Sequence, residues 1–385
     1  MWSIILGPVL STIPSQVNAI APGNKVYGLA LVTGIAGVVG IITNPLIGHL
    51  SDITSTRLGR RIPWLLAGLA VILPVSVVIG DARTLGELAL WWTLLQIGAN
   101  MLMAPTSATI PDLVPEHRRG MASACLGIAA AVAPVLGTGV QTLLASPRSV
   151  YLTLGALIVI AQLFFILTIR GDRAHPPLQQ TRNEGGPHHD LLPHSKDFWL
   201  VCAHRILFGL GQNMALAYLF FYLQDVIHYA EYHPGQSTDD GVLALTAVYA
   251  PCVIIAAVVS GSLTDRTHRF KWCLVAATVI FAAGAVLGAV TGSWIGVVAL
   301  AVLTGIGYGA YASTSMAMAV HLLPDDNRRA RDLSLINVAD LSAIALGPII
   351  AAMGIAVSGY SAVFIASGIL VIISGLAITR IRGAH

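Results

Sequence analysis

Apolar residues in this chain come in runs of about twenty, separated by short stretches where the charges gather. The runs do not alternate apolar with polar at every second position, which excludes barrel strands, and their length suits helices crossing a hydrocarbon layer. The pattern predicts helices at about 1–21, 26–50, 62–80, 85–110, 120–145, 150–169, 198–224, 241–263, 272–290, 295–320, 333–357 and 360–379. These twelve nearly exhaust the chain and leave no room for a soluble domain. Backbone polar groups in lipid are satisfied only within helices or closed barrels. The expected fold is therefore all-α and integral to a membrane.

Composition agrees. Of 385 residues, 56% are hydrophobic and 10% charged, against about 25% charged in soluble domains. So little charge excludes a water-soluble globule, and so much apolar surface excludes a disordered chain. The 38 glycines suit helices that approach closely in lipid. A net charge of +3, spread between apolar runs, implies no nucleic-acid partner. Cys125, Cys202, Cys252 and Cys273 lie in or beside apolar runs and read as small core residues.

The basic residues are distributed unevenly. Seventeen Lys and Arg fall in loops on one side, and only Lys25, Arg83 and Arg148 fall on the other. The positive-inside rule then places the ends of even-numbered spans, and the C-terminus, in the cytoplasm. The implied location is the cytoplasmic membrane.

An internal repeat organises the spans. Gly48-His-Leu-Ser-Asp52 after span two matches Gly261-Ser-Leu-Thr-Asp265 after span eight, at an offset of 213 residues. Pro111-Asp112 with Arg118 matches Pro324-Asp325 with Arg331 at the same offset. Two loops sharing one offset predict two copies of a six-helix unit. The expected division is an N-terminal bundle over 1–169, a polar cytoplasmic linker over 170–197 and a C-terminal bundle over 198–385. The same offset places the counterpart of Phe198 about 15 residues before Met1, so a first helix shortened at its N-terminus is expected. An insertion in the first outer loop is the alternative.

The stretch Gly48-His-Leu-Ser-Asp52-Ile-Thr-Ser-Thr-Arg57-Leu-Gly59-Arg60-Arg61 resembles the loop signature of the major facilitator superfamily. That loop is extended here by three residues before Arg57. The longer form, followed by Ile62-Pro63-Trp64, is similar to the sugar:cation symporter branch, as is Tyr222-Leu-Gln-Asp225. The resemblance implies that Gly48, Asp52, Arg57, Gly59, Arg60 and Arg61, with the second copy at Asp265 and Arg266, hold the two halves together when the cytoplasmic side is closed. Asp332 is placed to join that cluster and to favour the N-terminus of span eleven. The plainer reading of the same charges is topology alone.

Ionisable residues at membrane depth are functional candidates. Arg205 in span seven and Asp340 in span eleven lie at equal depth and have opposite sign, which predicts a pair. It serves either as a proton-coupling site or as a structural or gating link; pairing with Arg keeps an Asp ionised and favours the second. Gln212, Asn213 and Asn337 extend this polar seam. Gln96 and Asn100 in span four, and Tyr308 and Tyr311 in span ten, offer hydrogen bonds and rings to a polar solute, or else bond between helices. Spans two and four carry no carboxylate at depth, which argues against a sodium site of the melibiose-carrier type.

The expected function is secondary active transport of a small polar solute, such as a sugar, by alternating access, with a proton as coupling ion. The rivals are an efflux antiporter of the same fold and a non-transporting sensor derived from it. An enzyme is not expected, because no ligand or nucleophile cluster lies on one helix face, nor is a cofactor or resident metal. The lipid bilayer and the solute are the expected partners, and the chain is expected to act as a monomer.

Overall fold

The computed structural model describes residues 1–114, 116–144, 146–169, 196–267, 269–321 and 329–381, with side chains at all of these except 110–113, 116–124, 320–321 and 329–334. The linker 170–195 therefore lies outside the described residues. So do the side chains of Asp112, Arg118, Arg331 and Asp332, together with Pro324 and Asp325.

All regular structure among the described residues is helical. The α-helices are α1 (Ser3–Leu10), α2 (Thr12–Ile20), α3 (Lys25–Ile53), α4 (Ile62–Val78), α5 (Leu85–Leu113), α6 (Glu116–Leu143) and α7 (Pro147–Ile169). They continue with α8 (Lys196–Ala217), α9 (Leu219–Asp225), α10 (Tyr229–Tyr232), α11 (Thr238–Thr267), α12 (Phe270–Val290), α13 (Trp294–His321) and α14 (Arg329–Thr379). Among the described residues, nine helical segments are long and apolar enough to cross a membrane, and α1 with α2, bent by 44°, make a tenth.

The difference from twelve has two sources. Helix α5 has 29 residues, but Gln96, Asn100 and its hydroxyl side chains dilute its apolar character. Helix α14 runs for 51 residues, longer than any single crossing needs, and is interrupted at Gly359 (φ 75°, ψ −173°). Glycine suits that position because a side chain would be strained at positive φ.

Hydroxyl side chains along the helices bond back to their own backbone. Thr33 donates to the Leu29 carbonyl at 2.7 Å, Thr138 to Pro134 at 2.8 Å and Thr304 to Leu300 at 2.7 Å. Each polar group is thereby satisfied without water. Glycine sets the closest crossings. A Cβ on Gly7 of α1 would sit 2.4 Å from the Gly137 Cα of α6, so only two facing glycines allow this approach.

The helices pack as two sets. Helices α1 to α7 lie mainly against one another, as do α8 to α14, and the sets meet along α3 with α14 and α6 with α11. The apolar core has two buried clusters. One joins Val17, Leu29 and Trp92 of the first set to Phe221, Leu245 and Phe364 of the second, and within the first set it extends to Ile62, Leu65 and Ile166 near the basic loops. The second cluster, around Cys202, Phe281, Met318 and Ile378, is built from residues of the second set.

Gly137→Leu is expected to lower thermal stability by about 2 kcal/mol or more through overpacking. Gly127→Ala, where a Cβ meets nothing within 4 Å, leaves it unchanged. Melting of purified protein in detergent checks both.

Candidate functional site

Four groups of polar side chains interrupt the apolar packing. The first is the turn between α3 and α4. Arg61 donates from Nη1 to the Asp52 carboxylate at 2.6 Å and to Ser51 Oγ at 2.7 Å. Trp64 Nε1 donates to Thr54 Oγ1 at 2.9 Å, tying the start of α4 to the end of α3. Gly59 takes φ +92°, and its carbonyl accepts from Thr56 Oγ1 at 2.8 Å. Gly48 and Arg60 are half-buried, whereas Asp52 and Arg57 are exposed. Asp265 and Arg266 are also exposed, at the end of α11. Arg61 and Trp64 thus tie the start of α4 to the end of α3, and Asp332 lies outside the described side chains.

The second group is the intramembrane pair. Arg205 of α8 donates from Nε to Asp340 Oδ1 at 3.0 Å and from Nη2 to Oδ2 at 2.6 Å, while Nη1 reaches Ser315 Oγ of α13 at 2.9 Å. This two-pronged geometry is the strong form of the Arg–carboxylate contact. One turn from Ser315, Tyr311 stacks on Phe208, with centroids 3.6 Å apart and an interplanar angle of 5°. His204, fully buried, lies 5.3 Å from the same ring, and its Nδ1 is 2.6 Å from Ser374 Oγ. Three helices, α8, α13 and α14, are therefore pinned through one guanidinium. Both Asp340 oxygens are engaged, an arrangement suited to positioning helices.

The third group is a set of amides and phenols. Asn100 has both ends of its amide occupied: Asn44 donates to its oxygen at 3.1 Å, and it donates to Thr43 at 3.0 Å, clamping α5 to α3. Asn213 donates to the Gly209 carbonyl at 2.8 Å, and its Cβ lies in the space a side chain at Gly347 would need. Asn337 is exposed and Gln96 half-buried. Gln212 lies beside the hydroxyls of Tyr249 and Tyr308. Those two rings are stacked at 6.4 Å, and the Tyr249 hydroxyl is buried with no partner in hydrogen-bonding geometry. Tyr249 was not singled out by the sequence, because a lone tyrosine in an apolar run carries no pattern.

The fourth group joins the two sets at the end away from the basic loops. Lys25, opening α3, pairs with Asp225, closing α9, at 2.5 Å, and lies 5.1 Å from the Phe221 ring centroid. Tyr360, directly after the break in α14, donates to the other Asp225 oxygen at 2.6 Å. The Tyr218 hydroxyl reaches the Val26 carbonyl at 3.1 Å and the Pro348 carbonyl at 3.0 Å. Thr138 and Thr246 meet at 3.1 Å between α6 and α11. Sequence reasoning missed this seam, although Lys25 was legible as one of three basic residues on its side. Among the described residues, no group of three or more His, Cys, Asp or Glu is placed to hold a metal ion.

Two sets of membrane-length helices, packed along α3 with α14 and α6 with α11, define a class of polytopic membrane protein. The Major Facilitator Superfamily model matches residues 2–272 and 231–383. The chain belongs to the Major Facilitator Superfamily. Among curated proteins it is similar to Multidrug resistance protein 3 of Bacillus subtilis (strain 168), 31% identical over 144 residues, covering 35% of this chain and 27% of that protein. It is also similar to the sucrose transport protein SUC4 of Arabidopsis thaliana, 32% identical over 117 residues, covering 26% of this chain and 23% of that protein. The matched stretches thus span about a quarter of those relatives. Among solved structures, a bacterial homolog of the human lysosomal transporter Spinster, inward-facing and occupied, aligns with a TM-score of 0.76 at 14% identity, over 100% of this chain and 94% of that one. The nucleoside transporter NupG aligns with a TM-score of 0.73 at 14% identity, over 99% of this chain and 98% of that one.

Removing one member of the Arg205–Asp340 pair strands a charge at membrane depth, a loss of about 3–5 kcal/mol in buried sites. Arg205→Gln and Asp340→Asn singly are expected to lower the melting temperature more than the double variant does. A double-mutant cycle of melting curves measures the coupling.

Proposed function

We propose that the chain is a secondary active transporter that carries a small, uncharged polar solute across the cytoplasmic membrane by alternating access, driven by a proton gradient. The observation that carries this reading is the packing of the helices as two sets that meet along α3 with α14 and α6 with α11. Two sets meeting along such a seam are what a rocking pair of bundles requires. The names of the similar proteins and the inward-facing relative support the same direction.

In this reading α1 with α2, α5 and the two parts of α14 on either side of Gly359 each count as a crossing. That makes twelve spans in two six-helix bundles, 1–169 and 198–385, joined by a linker over 170–197. The seventeen basic loop residues support a cytoplasmic C-terminus. The protein works as a monomer, since both sets of helices belong to one chain. Gln212, Tyr249 and Tyr308 offer the solute hydrogen bonds and a stacking surface, which suits a hydroxylated ring. Arg205 and Asp340 hold three helices in register around that surface. The turn of Asp52, Arg57, Arg60 and Arg61, with Asp265, Arg266 and Asp332 opposite, latches the cytoplasmic side when it closes. The likeness to Multidrug resistance protein 3 supports a second reading, export in exchange for protons.

Uptake of labelled sugars and nucleosides into proteoliposomes, with a pH gradient of either sign, tests the proposal. Accumulation with an inwardly directed proton gradient is expected. Accumulation only with the gradient reversed establishes export, and no solute-dependent flux in any condition refutes transport. Gln212→Ala and Tyr249→Phe are each expected to weaken the apparent affinity for the accepted solute by about tenfold, near 1.4 kcal/mol, without changing the melting temperature. Thermal shift against solute concentration measures this.

A further inference from the structure

Several polar links between the two sets of helices share one feature: the group that crosses the seam keeps a second partner on its own side. The Tyr218 hydroxyl has one proton and two carbonyls within reach. That of Val26 in α3 lies at 3.1 Å across the seam, and that of Pro348 in α14 at 3.0 Å within the same set. Thr138 and Thr246 meet at 3.1 Å between the sets. Yet Thr138 also reaches the Pro134 carbonyl at 2.8 Å on its own helix, and Thr246 the Leu243 carbonyl at 2.9 Å. Asp225 offers one oxygen to Lys25 of the first set and the other to the Tyr360 hydroxyl of the second. A further link, Ser11 with Asp239, joins a neutral hydroxyl to a carboxylate.

Lys25 differs. It opens α3 in the first set, and its two partners, the Asp225 carboxylate at 2.5 Å and the Phe221 ring at 5.1 Å, both belong to α9 of the second. Parting the sets therefore has unequal consequences. Tyr218 keeps Pro348, the threonines keep their own turns, and Asp225 keeps Tyr360. Each of these groups leaves the seam with a partner, so none is stranded in apolar surroundings, where an unpaired polar group is costly. Lys25 leaves both of its partners behind and has to be rehydrated. Its side chain is 18% exposed and that of Asp225 29%, so the pair lies within reach of water. The long lysine stem lets the ammonium follow that water. Breaking a half-exposed pair has a modest cost, enough to bias an equilibrium without freezing it.

We infer that Lys25 sets how readily the two sets part at the end away from the basic loops: its contact with Asp225 is made only when the sets meet, whereas Tyr218, Asp225, Thr138 and Thr246 fall back on partners in their own set. The joints inside each set are built the other way. Both ends of the Asn100 amide and both Asp340 oxygens are spent on partners within one set, and they stay spent when the sets move. The position of Lys25 suits the task. It is the first residue of the helix that runs along α14, and Asp225 closes α9 beside Tyr360, directly after the break at Gly359. One ammonium thus draws together the start of α3, the end of α9 and, through Asp225, the corner of α14. The inference rests on the parting of the two sets and not on what is carried between them, so it goes beyond the transport reading.

The test counts the two states directly. Spin labels are placed through Gly86→Cys at the start of α5 and Gly292→Cys between α12 and α13, one on each set at this end, where a side chain meets nothing within 4 Å. The four native cysteines are first replaced by alanine. Distances are then measured by electron resonance in lipid nanodiscs near neutral pH, without solute. Lys25→Met and Asp225→Asn are each expected to raise the ratio of long to short distances about threefold or more. Lys25→Gln, a smaller change, carries the same expectation. Lys25→Arg, which keeps the charge, is expected to stay within about twofold of the parent, as are Tyr360→Phe and Tyr218→Phe, whose bonds persist in both states. A parent-like ratio in both Lys25→Met and Lys25→Gln overturns the inference. So does a shift in Tyr360→Phe or Tyr218→Phe as large as that in Lys25→Met. Melting curves of each variant separate a shift between states from a loss of folding. Absent solute flux in proteoliposomes leaves the distance result standing, so the two claims fail separately.

Discussion

Hydrocarbon offers no hydrogen-bonding solvent, and this structure is organised by that constraint. Backbone amides in a crossing are satisfied within their own helix, and most polar side chains at depth find a partner. Threonines fold back on the preceding turn, Asn100 is clamped on both sides, and Arg205 is neutralised by two carboxylate oxygens and a serine. Polar groups therefore act as joints. Their positions identify which helices are held together and which are free to separate.

The joints fall into two classes. Those around Arg205 and Asn100 lie within one set of helices and keep that set rigid. Those around Asp225, Tyr218, Asp239 and Thr246 lie between the sets. Rigid units joined by a separable seam are what rocking motion requires. The breaks at Ser11 and Tyr218 bring side chains into contact across this seam, and the break at Gly359 brings Tyr360 onto Asp225 beside it. In this respect the irregular backbone serves the interface.

Several features were readable from residue order because they are local or additive. Long apolar runs separated by charge demand crossing helices whatever their packing. The repeat at 213 residues and the loop from Gly48 to Arg61 were legible because they are contiguous. The Arg205–Asp340 contact was anticipated only because charges at depth are rare enough to have few choices of partner. Individual cavity residues were harder. Asn100 and Asn213 look alike in sequence to groups that bind a ligand, yet their amides are spent on neighbouring backbone and side chains.

Tertiary structure alone decided where the two sets of helices meet. Lys25 and Asp225 are 200 residues apart, and Ser11 and Asp239 are 228 apart. No periodicity links such positions, because each arises from how one rigid set leans on the other. That the segments form helices long enough to cross a membrane follows from the energetics of single segments in lipid. The seam and the residues that meet across it follow from the relative placement of units that the chain merely tethers. That placement is a property of the packed surfaces, and those exist only once the helices have come together.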